Sequence, residues 1–318
     1  MVSGLVVAFQ ATLSVATAQV PRPLAPGVLR VIAPEPLPEE TFSGPLPLVE
    51  IVRGGANLQW TPHYLPPTQT LLAKANQTIF RRSVWCLEFS FKPLRLIEVD
   101  LPTENGKLVR KYVWYLVYRI RYLGNDLKPA PVRDAYGHET FPGTVAGTTD
   151  PTPRFFPHFV LRIHDFQKEY LDVVLPSVKS AIVARERPGV PLYNSVEMTS
   201  QVIPLSQDEN DPGVWGYATW IDIDPRLTFF SIYVGGLTNA HRFTDAQDGF
   251  KPGDPPLTGR QFQQKVLQLN FWRPGDSVLL NEEEIRFGIP IDTDPKRQQE
   301  YNSKYGLSER LDYLWVYR

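Results

Sequence analysis

From Val84 onward apolar side chains recur at every second position, in segments dominated by aromatic and β-branched residues, the pattern of half-buried strands. Val84–Phe91 puts Trp85, Leu87, Phe89 and Phe91 on one face and Cys86, Glu88 and Ser90 on the other. Pro93 cannot donate to a ladder, so a bulge is expected before the strand resumes over Leu94–Asp100; Pro102 with Glu104-Asn105-Gly106 then supplies the turn of a hairpin. The partner, Leu108–Leu123, sets Tyr112, Trp114, Leu116, Tyr118, Ile120 and Tyr122 against Val113, Tyr115 and Val117, followed by Arg119 and Arg121. Both faces begin apolar, which predicts a central strand covered on both sides at one end and wetted where the arginines stand. Phe155–Ile163, Val196–Leu205, Val214–Ile223, Phe229–Leu237 and Val266–Trp272 complete seven principal strands. Short strands separated by turns, without alternating helices, predict an all-β fold: an immunoglobulin-like antiparallel β-sandwich over 51–291.

Two stretches interrupt the alternation. Residues 124–154 are rich in Gly and Pro and predict a long surface loop. An insertion over 165–191 carries apolar residues at helical spacing within Gln167–Arg187, which predicts one short helix. In the terminal unit, 292–318, Asp294-Pro295 reads as N-cap and first helical position and Gly306 as the stop. The closing Leu311–Arg318 is aromatic enough to dock as a strand.

Upstream of this body, Leu5–Ala18 is uncharged and ends in Ala16-Thr17-Ala18, the small-x-small pattern of a cleavage site, so residues 1–18 predict a signal peptide. Its n-region, Met1–Gly4, lacks the usual Lys or Arg. Eight prolines between Pro21 and Pro47 exclude helix and interior strand, making 19–50 a Pro-rich extended arm, apolar enough to lie partly along the body. Export places the chain in a periplasmic or extracellular setting.

Composition narrows the function classes. With 33 basic and 34 acidic residues the net charge is -1, which gives no general attraction to nucleic acid or anionic lipid. One cysteine excludes an intramolecular disulfide, and beyond the signal no apolar run reaches the roughly 18 residues of a membrane span. Charge is nevertheless segregated: residues 81–121 hold nine basic against four acidic side chains, and 205–255 three against eight. Mutual neutralisation of opposed strands is the plain reading, with an interface to a partner or a second copy as the alternative.

Candidate chemistry is sparse. The chain has no GxSxG, Walker, GxGxxG, HExxH or CxxC motif, and no catalytic residue is assigned. The five histidines are His63, His138, His158, His164 and His241; His164-Asp165 is a poor dyad because neighbours on a strand face opposite ways. Asp208, Asp211, Asp222, Asp224, Asp245 and Asp248 group hard oxygen ligands in turn-like surroundings, the composition of extracellular calcium sites, although each equally fits turn chemistry. No other cofactor is expected. Trp60, Tyr136 and Trp272 are the aromatic candidates for a ligand such as a glycan, with Tyr64 and Tyr193 beside them, while Cys86 reads as a buried, inert thiol. Asn76-Gln77-Thr78 fits a glycosylation sequon.

The strings VWCLEFSFKPLRLIEVDLP, KYVWYLVYRIRYLG, VWGYATWIDIDPR, FFSIYVGGLTNA, LNFWRPGD and RLDYLWVYR resemble a group of exported bacterial proteins of unassigned function. The resemblance implies an envelope setting and carries over no site residue. The resulting expectation is an exported, non-enzymatic binding or assembly component of the cell envelope, acting on a protein partner or on its own kind. The alternative is an exported hydrolase or carbohydrate-binding protein with a site assembled from loops 124–154 and 238–260.

Overall fold

Residues Leu108–Arg121 organise the molecule, because alternation sends two sets of their side chains into two separate cores. The computed structural model describes residues 29–42, 81–133, 139–149, 152–208, 211–246, 258–274 and 285–318, with 135 and 137. The expected signal peptide, most of the arm, the sequon and residues Trp60, His63, Tyr64, Tyr136, His138 and Asp248 lie outside the described residues.

The strands in chain order are β1 (Arg30–Ile32), β2 (Glu88–Phe91), β3 (Arg95–Pro102), β4 (Leu108–Arg121), β5 (Asp126–Arg133), β6 (Glu139–Gly147), β7 (His158–Ile163) and β8 (Lys168–Leu171). Then come β9 (Leu192–Tyr193), β10 (Val214–Trp220), β11 (Phe229–Gly235), β12 (His241–Asp245), β13 (Arg260–Trp272), β14 (Arg286–Phe287) and β15 (Tyr313–Tyr317). Three α-helices are described, α1 (Lys179–Glu186), α2 (Ser195–Thr199) and α3 (Pro295–Lys304), with short 3₁₀ turns at Pro38–Thr41 and Pro176–Val178.

Sheet one runs β1-β2-β4-β10-β9, with β3 also on β4; sheet two runs β12-β13-β11-β7-β8, with β14 and β15 also on β13. Among the described strands, pairing is antiparallel except between β9 and β10. The two sheets bury one shared core, with Phe89, Phe91, Trp114 and Tyr118 meeting Phe159, Phe230 and Phe271. Cross-sheet ring pairs lie 6.0 Å apart at Trp114–Phe230 and 6.2 Å at Phe91–Phe271, each adding about 0.5–1.5 kcal/mol beyond burial. The segment before β2 stitches the sheets together: Cys86 bridges Thr238, and the Leu87 amide donates to the Leu237 carbonyl. No helix among the described residues is long and apolar enough to cross a membrane.

The bulge expected at Pro93 is present: Phe91 pairs with Tyr118 and Arg95 with Tyr115, so four steps on one strand oppose three on the other. Asp294 caps α3 through a 3.0 Å bond from the Lys296 amide, and β15 docks on β13.

Four expectations are corrected. Residues 124–154 are not an irregular loop, because β5 and β6 pair as a separate two-stranded antiparallel sheet. Val196–Leu205 is no strand: Asn194 and Glu197 form a capping box that starts α2. The 165–191 segment holds β8 as well as α1. Finally, the wetted end of β4 is the opposite one. Leu108 and Tyr112 are exposed, whereas Arg121 is buried with Glu88 in a bidentate pair at 2.6 and 2.8 Å, and Arg119 lies 3.7 Å from the same carboxylate.

The other face of β4 packs Val113, Tyr115 and Val117 under Ile182 of α1. Burial would raise the Glu186 carboxyl of this helix, but hydrogen bonds from Tyr115 and Lys92 and the Arg95 charge outweigh it and hold the group below the usual range. Thus the basic 81–121 segment is matched chiefly by Glu88 and Glu186. Among the described residues only Lys111–Asp222 links it by an ion pair to the acidic 205–255 segment.

Candidate functional site

Two polar clusters interrupt the apolar layers, and they differ in access. The open one forms where the arm crosses from sheet one to the edge of sheet two. After β1, Pro34, Pro36 and Pro38 keep the chain extended and start a short 3₁₀ turn over Pro38–Thr41. That turn delivers Glu40 to Lys265 of β13 at 2.6 Å, with side-chain exposures of 1% and 2%. The carboxylate also accepts from the Leu37 amide and the Tyr317 hydroxyl, while Lys265 donates to the Glu35 carbonyl. Burial and the bond to Glu40 push the Tyr317 hydroxyl well up. Arg82 closes the far side by donating to the carbonyls of Glu40 and His241. Burial and the Arg82 charge lower the His241 imidazole, so a neutral ring accepts from that guanidinium.

Beside this anchor lies a groove of about 640 Å³ lined by Arg30, Leu37, Arg242, Lys265, Trp315 and Tyr317 among others. Arg242 stacks 3.9 Å above the Tyr317 ring centroid, and Arg30 lies over Phe287. Arg310 and Asp312 pair with one another at 2.6 Å on the groove wall. A smaller hollow of about 200 Å³ adjoins, between Glu39, Phe42, His241 and Phe243.

The sealed cluster sits on the outer face of sheet two. Ser231 Oγ donates to Asn270 Oδ1 at 2.7 Å; Gln268 donates to the same oxygen, and Asn270 Nδ2 donates to the Leu311 carbonyl. These contacts fix the amide orientation and commit the single serine proton. His164 Nε2, 2.7 Å from Ser231 Oγ, must therefore be the donor. A ring protonated there cannot serve Ser231 as a general base. Ser231 and Asn270 are fully buried, and Tyr305 covers His164 with its ring 4.9 Å away. Burial, then the Arg162 charge, lowers the His164 imidazole to about 4. His164 and Asp165 lie in the turn after β7, not on a strand, and Asp165 faces the Phe229 amide and Lys304.

The sequence candidates scatter. Asp211 accepts from the Gly213 amide in a turn, beside Asp208. Asp222, at φ 55°, pairs with Lys111, and the hydrogen bonds from Arg226 bring the Asp224 carboxyl down to about 2. The backbone of Asp245 pairs with Arg260. Among the described residues no three His, Cys, Asp or Glu converge as a metal site. Trp272 ends β13, Tyr193 lies in β9, and His158 starts β7. Cys86 is free and buried, and burial pushes its thiol up to about 12, far from a nucleophile's range. Sequence reasoning missed Glu40, Lys265, Arg30, Arg242, Ser231 and Asn270. Only the last had a local signal, since Gln268 and Asn270 are polar at alternate positions of an apolar strand.

No family model, curated protein or solved structure matches this chain.

Proposed function

We propose that this chain is an exported, non-enzymatic binding or assembly component of a bacterial cell envelope, built on an immunoglobulin-like sandwich. The observation that carries the reading is the division of labour between the two clusters. The accessible groove presents charge and aromatic surface, whereas Ser231 is fully buried beneath a half-buried His164, with the proton of that contact on the wrong atom for nucleophilic attack. Two sheets facing across a shared aromatic core support the sandwich assignment. Ala16-Thr17-Ala18 and the proline-rich stretch behind it support export.

Expression of the full chain in a bacterium, followed by fractionation and amino-terminal sequencing, tests the location. The expected product is periplasmic or secreted and begins at Gln19; a cytosolic chain retaining residues 2–18 overturns export. Hydrolysis of ester, amide or glycoside substrates by the purified chain, abolished in Ser231→Ala, would overturn the non-enzymatic part.

A further inference from the structure

Among the described residues, strand β15 is paired on one side only. Gln264 and Arg318 exchange both backbone hydrogen bonds, and the Asn270 amide donates to the Asp312 carbonyl. In an antiparallel ladder this phase turns residues 312, 314, 316 and 318 toward β13. The N–H and C=O groups of Tyr313, Trp315 and Tyr317 therefore point to the open edge, where no described residue bonds them. The same three residues line the groove of about 640 Å³, so a row of free donors and acceptors is set into a concave surface. Edge strands left in this state are templates for another strand.

The charge on the groove indicates which strand. Lys265 is matched by Glu40 and Arg310 by Asp312. What remains on the lining is Arg30, which Asp312 also attracts at longer range, and Arg242, neither in an ion pair with a described residue, against the exposed Glu35. Both guanidiniums lie against aromatic rings, at 5.4 Å over Phe287 and 3.9 Å over Tyr317, which holds their positions while leaving their outward donors unused by carboxylates.

We infer that the β15 edge and its groove form a strand-addition site for an extended acidic segment of a partner protein, with backbone pairing to Tyr313, Trp315 and Tyr317 and carboxylates reaching Arg30 and Arg242. An added strand would lie about 4.8 Å from β15 and direct alternate side chains into the groove. The inference rests on the binding reading above and names the chemistry of the partner.

The test uses the full chain and a short capped peptide alternating glutamate with valine and threonine. Controls are its lysine-for-glutamate counterpart and a version N-methylated at alternate amides. Titration calorimetry is expected to show binding of the acidic peptide that weakens as salt rises, with the lysine and N-methylated peptides about tenfold weaker or worse. Amide resonances of Tyr313, Trp315 and Tyr317 should shift, and the Arg30→Ala/Arg242→Ala double variant should lose about tenfold in affinity while unfolding at nearly the same temperature. Equal binding of the lysine peptide, undiminished binding of the N-methylated one, or shifts confined to another surface would overturn the inference. So would protection of those three amides in the free chain, or their shift on concentration alone, which would assign the edge to the chain itself or to a second copy. Failure of every peptide sinks the strand-addition site and leaves the location experiment untouched; cytosolic retention sinks export and leaves the groove untouched.

Discussion

The sealed cluster on sheet two has the residues of an active site without the access, and the groove beside β15 has the access without those residues. His164, Ser231 and Asn270 are residue types that catalytic sites use, yet the serine is fully buried and its proton already belongs to Asn270. Arg30, Arg242, Trp315 and Tyr317 form no catalytic constellation, yet they border solvent and an unpaired strand edge. Residue identity proposes chemistry, and proton bookkeeping with exposure decides whether it can occur. Each cluster can be perturbed separately, because its role in stability differs from its role in binding.

The largest expected effect is on the anchor that shapes the groove. Lys265→Met leaves Glu40 buried without its cation, and removing one partner of a buried pair costs about 3–5 kcal/mol. Denaturant unfolding should show this loss, and adding Glu40→Leu should restore most of it, since an apolar pair of similar volume replaces both charges. If Lys265→Met were neutral, Glu40 would not be held as an ion pair and the groove would lack its fixed wall.

The anchor also marks the boundary of what was legible. Alternation along β4 announced its two cores, Pro93 announced the bulge, and Asp294-Pro295 announced α3, because each signal is local and periodic. Glu40 and Lys265 are far apart in sequence, and nothing near either residue names the other. Arg119 and Arg121 looked solvated for the same reason: the acid that permits their burial, Glu88, is supplied across the ladder. The β5–β6 pair was obscured by Pro129, Pro131 and Pro142, which a two-stranded sheet tolerates where a central strand would not. Asn194 and Glu197 did spell a capping box, but the apolar run that follows reads equally as a strand.

Next in size is the pH response of the sealed cluster. The His164 imidazole titrates near 4 when folded and near 6.5 when unfolded, so the unfolded chain takes up the proton first as pH falls. The stabilising contribution is complete above about 6.5 and is lost as pH drops toward 4, on the order of 3 kcal/mol in all. Arg162, Asp165, Lys304 and Tyr305 also face this region, so the measurement is the difference between the parent chain and His164→Gln, which should flatten across that window. An unchanged slope would mean that the ring is solvated and the cluster is not sealed.

Ser231→Ala follows, removing a donor to Asn270 Oδ1 and an acceptor for His164 in the same dry layer. Leaving a buried partner unsatisfied costs about 1–3 kcal/mol, and Gln268, still bonded to Asn270, moderates it. A loss of that size in urea unfolding supports a structural serine.

The smallest stability effect belongs to the residues given the largest binding role. Arg242→Ala removes a cation over the Tyr317 ring, an interaction worth about 0.5–1 kcal/mol at an exposed site, and leaves the Glu40–Lys265 pair intact. Its unfolding midpoint in urea should therefore move little, even though Arg242 borders the open strand edge. A loss comparable to that of Lys265→Met would make Arg242 part of the anchor. The groove would then be a by-product of holding the arm in place, and the contrast between a sealed structural cluster and an open binding surface would fail.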